Sequence, residues 1–292
     1  MVATPPTSPS HPREVIGPGR VAVVTGAASG IGLGLAGRFA AEGMHVVMAD
    51  VEEPVLSKAA ADLRERGASV LPVVTDVADR AAVEALREAA VSAFGAVHVL
   101  CNNAGVGGPH GPLWECPPAE WDWVLGVNLG GVINGVSAFM PLLLEQDAAH
   151  LVNTASVFGV FAGALGPYGV SKHAVVALTE TLYFNLQSLG VSHVGVSVLC
   201  PGAVRTNFGT SARNRPPAAG PADVAGPAER ASAEQFDRLV LAGASPAEVA
   251  EVVVDGIRSS RFYILTSAKR NAAVLRRGPE IVAGGPPVPP FP

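Results

Sequence analysis

Cysteine is scarce, with only Cys101, Cys116 and Cys200 in 292 residues. An odd count without CxxC spacing excludes a disulfide framework, and no group of His residues accompanies them at metal-ligand spacing. They read as reduced, largely buried residues of a cytoplasmic protein. Aromatic residues are 5% and charged residues 15% of the chain, at a net charge of −5. No basic stripe or stacking platform is left for a nucleic-acid partner. Apolar runs are interrupted short of the ~20 residues a membrane helix needs, so no membrane partner is expected. Met1 to Gly19 holds Pro5, Pro6, Pro9, Pro12 and Pro18 and lacks a signal-peptide core; it reads as a flexible leader. Hydrophobic residues, by contrast, are 49%, with 33 Gly and 25 Pro, enough for a large core and many tight turns.

From Arg20 onward, apolar runs of strand length alternate with helical patterns. The expected strands are Val21–Thr25, Val46–Ala49, Val70–Thr75, Val97–Cys101, His150–Ala155, Val194–Leu199 and Phe262–Leu265. Their unbroken hydrophobicity suits strands covered on both faces. The expected helices are Ile31–Glu42, Pro54–Arg66, Arg80–Phe94, Ala119–Leu144, Tyr168–Leu189 and Pro246–Ser259. This alternation predicts an α/β fold: one domain over residues 20–277, with a doubly wound, Rossmann-like parallel sheet of about seven strands flanked by helices. Residues 207–244, with Pro216, Pro217, Pro221 and Pro227, interrupt the rhythm after a strand and read as a substrate lid. The proline-rich tail, Gly278–Pro292, is expected to be extended and not helical.

The first strand runs into Thr25-Gly26-Ala27-Ala28-Ser29-Gly30-Ile31-Gly32 ahead of an amphipathic helix. Glycines there allow close approach to a pyrophosphate, which the helix start favours electrostatically. The alternative is a βα turn whose glycines serve packing alone. Asp50 ends the second strand, near the ~20-residue offset at which a carboxylate accepts ribose hydroxyls and repels a 2′-phosphate. Tyr168 and Lys172 are four apart on one helix face. With three tyrosines and three lysines in the chain, such a pair is expected by chance roughly 0.03 times.

The spacing Gly-x-x-x-Gly-x-Gly, Asn102-Asn103-Ala104-Gly105, Ser156, Tyr-x-x-x-Lys and Pro201-Gly202 together resemble the short-chain dehydrogenase/reductase family over about Arg20 to Thr266. The resemblance implies a cofactor site at Gly26, Ser29, Gly30, Ile31 and Gly32, with Asp50 at the adenosine ribose and Asp76 and Val77 at the adenine. It adds Asn103, Ala104, Gly105, Tyr168, Lys172, Pro201, Gly202, Val204 and Thr206. Asp76 could otherwise cap the next helix. Relatives that use NADP carry a basic residue where Ser29 or Val51 stands here, so the expected cofactor is NAD. The implied catalytic set is Asn128, Ser156, Tyr168 and Lys172. Tyr168 is the general acid/base, Ser156 a donor to the substrate oxygen, and Lys172 a neighbouring cation that also holds the nicotinamide ribose. Asn128 steadies a water behind the lysine, or is a polar residue that kinks its helix.

The expected reaction moves a hydride between NAD(H) and a secondary alcohol or ketone. An apolar lining from Val106, Gly107, Val157, Phe158, Leu165 and Ala203 suits a hydrophobic or cyclic small-molecule substrate. The alternatives are a 3-oxoacyl thioester reductase and a silent nucleotide-sensing protein. Arg205, Arg213 and Arg215 read as solvated loop charges. Val132, Val136, Phe139, Val175, Leu178, Leu182 and Leu186 suggest helix faces too apolar for a monomer, so a homotetramer is expected, or else a dimer.

Overall fold

The computed structural model describes residues 14–109, 111–161, 163, 165–216, 238, 240–267 and 271–287. Its strands are β1 (Val21–Thr25), β2 (His45–Asp50), β3 (Val70–Val74), β4 (Val99–Asn102), β5 (Ala149–Thr154), β6 (Val194–Cys200) and β7 (Tyr263–Leu265). All pair in parallel in one sheet of order β3-β2-β1-β4-β5-β6-β7. This is the expected doubly wound sheet, with strand ends displaced only slightly from the predicted ones. The helices are α1 (Gly30–Ala41), α2 (Glu53–Glu65), α3 (Arg80–Phe94), α4 (Pro118–Leu125), α5 (Gly131–Leu144), α6 (Gly166–Ser188), α7 (Pro246–Arg258) and α8 (Asn271–Val282).

Successive residues of each strand face opposite sides, which explains the unbroken runs. Ala22 and Val24 join Leu35 and Phe39 of α1 and Val249 and Val253 of α7 in one core layer. Val21 and Val23 join Leu86 of α3, Phe139 and Leu143 of α5 and Leu186 of α6 in the other. Each fully buried Val, Leu or Phe among them contributes about 1.5–3 kcal/mol.

Several expectations are corrected. The leader ends earlier than Gly19, because Val15 and Ile16 are buried in the layer beneath α1 and α7. The predicted helix Ala119–Leu144 is α4 and α5 joined through a π-helical turn, Gly126–Gly130. Among the described residues, Pro118–Leu144 is long and apolar enough to cross a membrane, with a mean hydropathy of 1.6 over an 18-residue stretch within it. The sequence reading missed this because Asn128, Asn134 and Ser137 break up a stretch that carries no charge from 127 to 144. Ala138, Phe139 and Leu143 pack that helix into the core.

The tail is helical as far as Val282, despite Pro279. Ala273 buries against Val157 and Phe161, and Arg276 pairs with Glu280 at 2.8 Å, so tertiary packing overrides the proline. Of the expected lid, residues 217–237 and 239 lie outside the described residues. Its beginning is a 3-10 turn, Phe208–Asn214.

The helix faces read as surplus are mostly core. Val132, Phe139, Val175 and Leu186 are buried, and Val136, Leu178 and Leu182 pack against the core clusters. The exposed apolar residues on α5 and α6 are instead Ile133, Leu144, Val170 and Phe184. Replacing Ile16 with Ala should cost about 2–5 kcal/mol in urea unfolding, the range for a fully buried aliphatic, whereas Val282→Ala should change stability little. Equal effects would return the segment before β1 to the leader.

Candidate active site

Where strand order reverses, the connections after β1 and β4 diverge and a crevice opens at their carboxyl ends. Thr25, the last residue of β1, holds the loop beyond β4. Its hydroxyl oxygen accepts from Asn103 N at 2.9 Å and Ala104 N at 3.0 Å, and its carbonyl accepts from Asn103 Nδ2 at 2.9 Å. Gly26 turns the chain at φ +66°, where a Cβ would stand 2.9 Å from Ala104 Cα. A Cβ on Gly32 would come within 2.0 Å of Gly26 O. Both glycines are therefore required by close backbone approach.

Ser29 stands at the N-cap of α1 without a side-chain capping bond, and the first turn carries no acidic residue. The donors at that helix start are thus left for an anion, which fits a dinucleotide pyrophosphate. At the end of β2, Asp50 accepts from Ala28 N at 3.0 Å and from Glu52 N at 3.1 Å, which fixes the carboxylate at the crevice. Asp79, not Asp76, caps α3, accepting from Ala81 N at 2.9 Å. Asp76 takes Ala78 N at 2.9 Å and faces the cavity.

The crevice continues into one cavity of about 670 Å³. Gly26, Ser29, Gly30, Ile31, Asp50, Asp76, Val77, Asn103, Ala104 and Gly105 line one stretch of it, and Ser156, Tyr168, Lys172, Pro201, Gly202, Val204 and Thr206 also line it. Two expected site residues do not line it. Gly32 stands behind the wall as packing, and Asn128 is fully buried in the π turn. The Asn128 amide is committed to structure: Oδ1 accepts from Val106 N at 2.8 Å, and Nδ2 donates to Val106 O at 3.0 Å and Ser171 Oγ at 3.1 Å. Val106, Val157, Phe158 and Ala203 line the cavity as expected, whereas Gly107 and Leu165 do not.

Burial dominates the electrostatics here. Desolvation pushes the Tyr168 phenol up to about 12, opposed by its hydrogen bond to Ser156. The same desolvation drives the Lys172 ammonium down to about 8. Lys172 Nζ donates to Thr154 O at 2.9 Å and sits 5.7 Å from the Tyr168 ring centroid. Cys200 beside them is pushed up to about 12 by burial and remains a thiol.

Sequence reading missed the strap formed by the turn Phe208–Asn214 and the residues after it. Phe208 packs edge-on against Tyr168, with ring centroids 5.2 Å apart. Ser211 Oγ accepts from Gly107 N at 2.9 Å. Arg213 pairs with Glu52 at 2.6 Å. Arg215 is no solvated charge: it pairs with Glu120 of α4, their side chains 8% and 9% exposed. Nothing local in the sequence says which distant carboxylate each arginine meets.

The family model described as short chain dehydrogenase matches residues 20–217. The chain belongs to the short chain dehydrogenase family. It is 42% identical over 253 residues to a 1-deoxy-11-beta-hydroxypentalenate dehydrogenase of Streptomyces arenae, covering 85% of this chain and 83% of that one. It is 33% identical over 275 residues to a CLA biosynthesis dehydrogenase/reductase of Lactiplantibacillus plantarum, covering 92% and 95%. A solved short chain dehydrogenase/reductase of Burkholderia phymatum, in complex with NAD, matches with a TM-score of 0.92 at 43% identity, over 96% of this chain and 100% of that one. The enzyme is thus an oxidoreductase, and the NAD complex of that relative agrees with the cofactor expected from Asp50.

The buried Arg215–Glu120 pair gives a stability test. Glu120→Gln should destabilise the enzyme by about 3 kcal/mol or more, because it leaves a guanidinium charge desolvated. The apolar double replacement E120L/R215M should recover most of that loss in thermal unfolding. A single variant as stable as the parent would mean that the strap end is free in solution.

Proposed function

We propose that the chain is an NAD-dependent dehydrogenase that oxidises a hydrophobic or cyclic secondary alcohol, or reduces the matching ketone, with Tyr168 as general acid/base. The observation that carries this reading is the single cavity that joins the glycine turn and Asp50 to Ser156, Tyr168 and Lys172. Gly26, Ser29, Gly30 and Ile31 would hold the pyrophosphate, Asp50 the adenosine ribose, and Lys172 the nicotinamide ribose. When bound, the nicotinamide supplies the hydride acceptor or donor.

The protein's own residues handle the proton. In oxidation the Tyr168 phenolate takes the hydroxyl proton of the alcohol; in reduction the phenol returns it to the substrate oxygen. Ser156 hydrogen-bonds Tyr168 and donates to that oxygen as charge develops on it. Lys172, charged below about 8, places a cation near the phenol and favours the phenolate. Asn128 contributes by holding the Val106 loop in place. Val106, Trp123, Val157, Phe158 and Phe208 give the remaining lining an apolar character, which supports a hydrophobic substrate. The relatives named as 1-deoxy-11-beta-hydroxypentalenate dehydrogenases support an alcohol as the substrate.

A cytoplasmic setting is part of the same reading, supported by three free thiols. So is a homotetramer, now supported by the exposed Ile133, Val170, Phe184 and Tyr263. A monomeric mass in light scattering would end that part of the reading.

A panel of cyclic secondary alcohols with NAD, followed by NADH absorbance, tests the activity. Tyr168→Phe should lower kcat by about 10³-fold or more while leaving the NAD dissociation constant nearly intact, since only the exchangeable proton is lost. Because the phenolate is the working form in oxidation and the phenol in reduction, kcat/KM should rise with pH for oxidation and fall with pH for reduction. Lys172→Met should move both limbs to higher pH, because the cation that favours phenolate is gone. Limbs that stay put would remove Lys172 from that role.

A further inference from the structure

Besides Lys172, the cavity has one other cationic lining residue among the described residues, Arg213, and it lies at the Asp50 end with Glu52 and Asn214. An arginine beside the adenosine ribose is the usual partner for a 2′-phosphate, which makes its presence beside Asp50 a contradiction to be resolved. The resolution lies in its bonding. Nε donates to Glu52 Oε2 at 3.2 Å and Nη2 to Glu52 Oε1 at 2.6 Å, a bidentate fork on one carboxylate. Nη1 is held within the strap by Asn207 O at 3.2 Å, Thr210 O at 3.0 Å and Thr210 Oγ1 at 3.0 Å. A guanidinium has five N–H groups, so among the described residues a single one, on Nη2, has no acceptor.

Glu52 is equally committed, since Oε1 also accepts from Asn214 Nδ2 at 2.7 Å, and Arg213 holds its carboxyl below the usual range. Its backbone N–H donates to Asp50 Oδ1 at 3.1 Å, which ties it to the carboxylate assigned to the ribose. Glu52 precedes α2 as its N-cap but makes no side-chain capping bond there. The side chain therefore serves the arginine and not the helix.

We propose that Glu52 is a second determinant of cofactor selectivity, its carboxylate filling the fork of Arg213 that a 2′-phosphate would otherwise take. This rests on the assignment of Asp50 to an NAD ribose. Asp50 repels the phosphate directly, and Glu52 withholds the cation that could compensate. Two carboxylates acting by different means then guard one position, and removing Asp50 alone leaves the arginine unavailable.

The test is substrate-free. Calorimetric titration of NAD and of NADP into the full-length chain gives the ratio of their dissociation constants, NADP over NAD, for the parent, E52A, E52Q and E52A/R213A. The ratio should fall at least tenfold in E52A, fall in the same direction in E52Q, and return towards the parent value in E52A/R213A. Should E52A lose the native circular dichroism spectrum, E52Q and E52Q/R213A decide by the same criterion. An unchanged ratio in the single variants would overturn the proposal. So would an equal fall with and without Arg213, since loss of charge alone would then account for it. A parent chain that binds neither nucleotide would instead defeat the dinucleotide assignment on which the proposal stands.

Discussion

Thr25 is the joint on which the site depends. Parallel pairing brings β1 and β4 together along the sheet, but past their ends nothing in the ladder holds the two departing loops at a fixed separation. Thr25 does so with one hydroxyl and one carbonyl, which together accept three hydrogen bonds from Asn103 and Ala104. A serine could supply the hydroxyl, but a β-branched side chain also suits the strand and is stiff at χ1, so the oxygen is aimed in advance. With that loop fixed, Gly26 and Gly32 can bring the start of α1 against it without a side chain in between. The crevice is thus a gap between two backbones held apart at a set width, and the dinucleotide proposal relies on that width.

The opposite end of the cavity is set by burial. Lys172 is enclosed by β5 and α6, with Thr154 O as its acceptor. Water removed from around an ammonium must be replaced by dipoles or by an anion, and one carbonyl is a partial replacement. Hence the ammonium is driven down while the phenol beside it is driven up: each group is shifted towards its neutral form. Such a pair is poised, since any added positive charge or hydrogen bond at the phenol oxygen moves it back towards ionisation. Ser156 already contributes in that direction.

The sequence made the sheet legible because its central strands are buried on both faces, and unbroken apolar runs of Val, Leu and Ala can mean little else at that length. The motif residues were legible for a different reason: a tyrosine and a lysine four apart in a chain with so few of either stand out from the background. What stayed hidden depended on contacts distant in sequence. The burial of Val15 and Ile16 depends on α7, more than two hundred residues away. The helicity across Pro279 depends on Ala273 meeting the turn after Ser156. Asn128 was readable as an anomaly inside a helix, but its work, holding the Val106 loop from a π turn, is a property of three segments at once.

The strap shows how a short segment can join two walls. Arg213 lies inside the 3-10 turn, and Arg215 leaves it in an extended conformation at φ −69° and ψ 131°. Two residues apart across such a change of backbone, their side chains diverge, and each finds a carboxylate on a different element: Glu52 before α2 and Glu120 in α4. Phe208, at the start of the same turn, rests on the Tyr168 ring. The turn and the arginine that follows it are thereby anchored to the Asp50 end of the cavity, to α4 and to the Tyr168 ring.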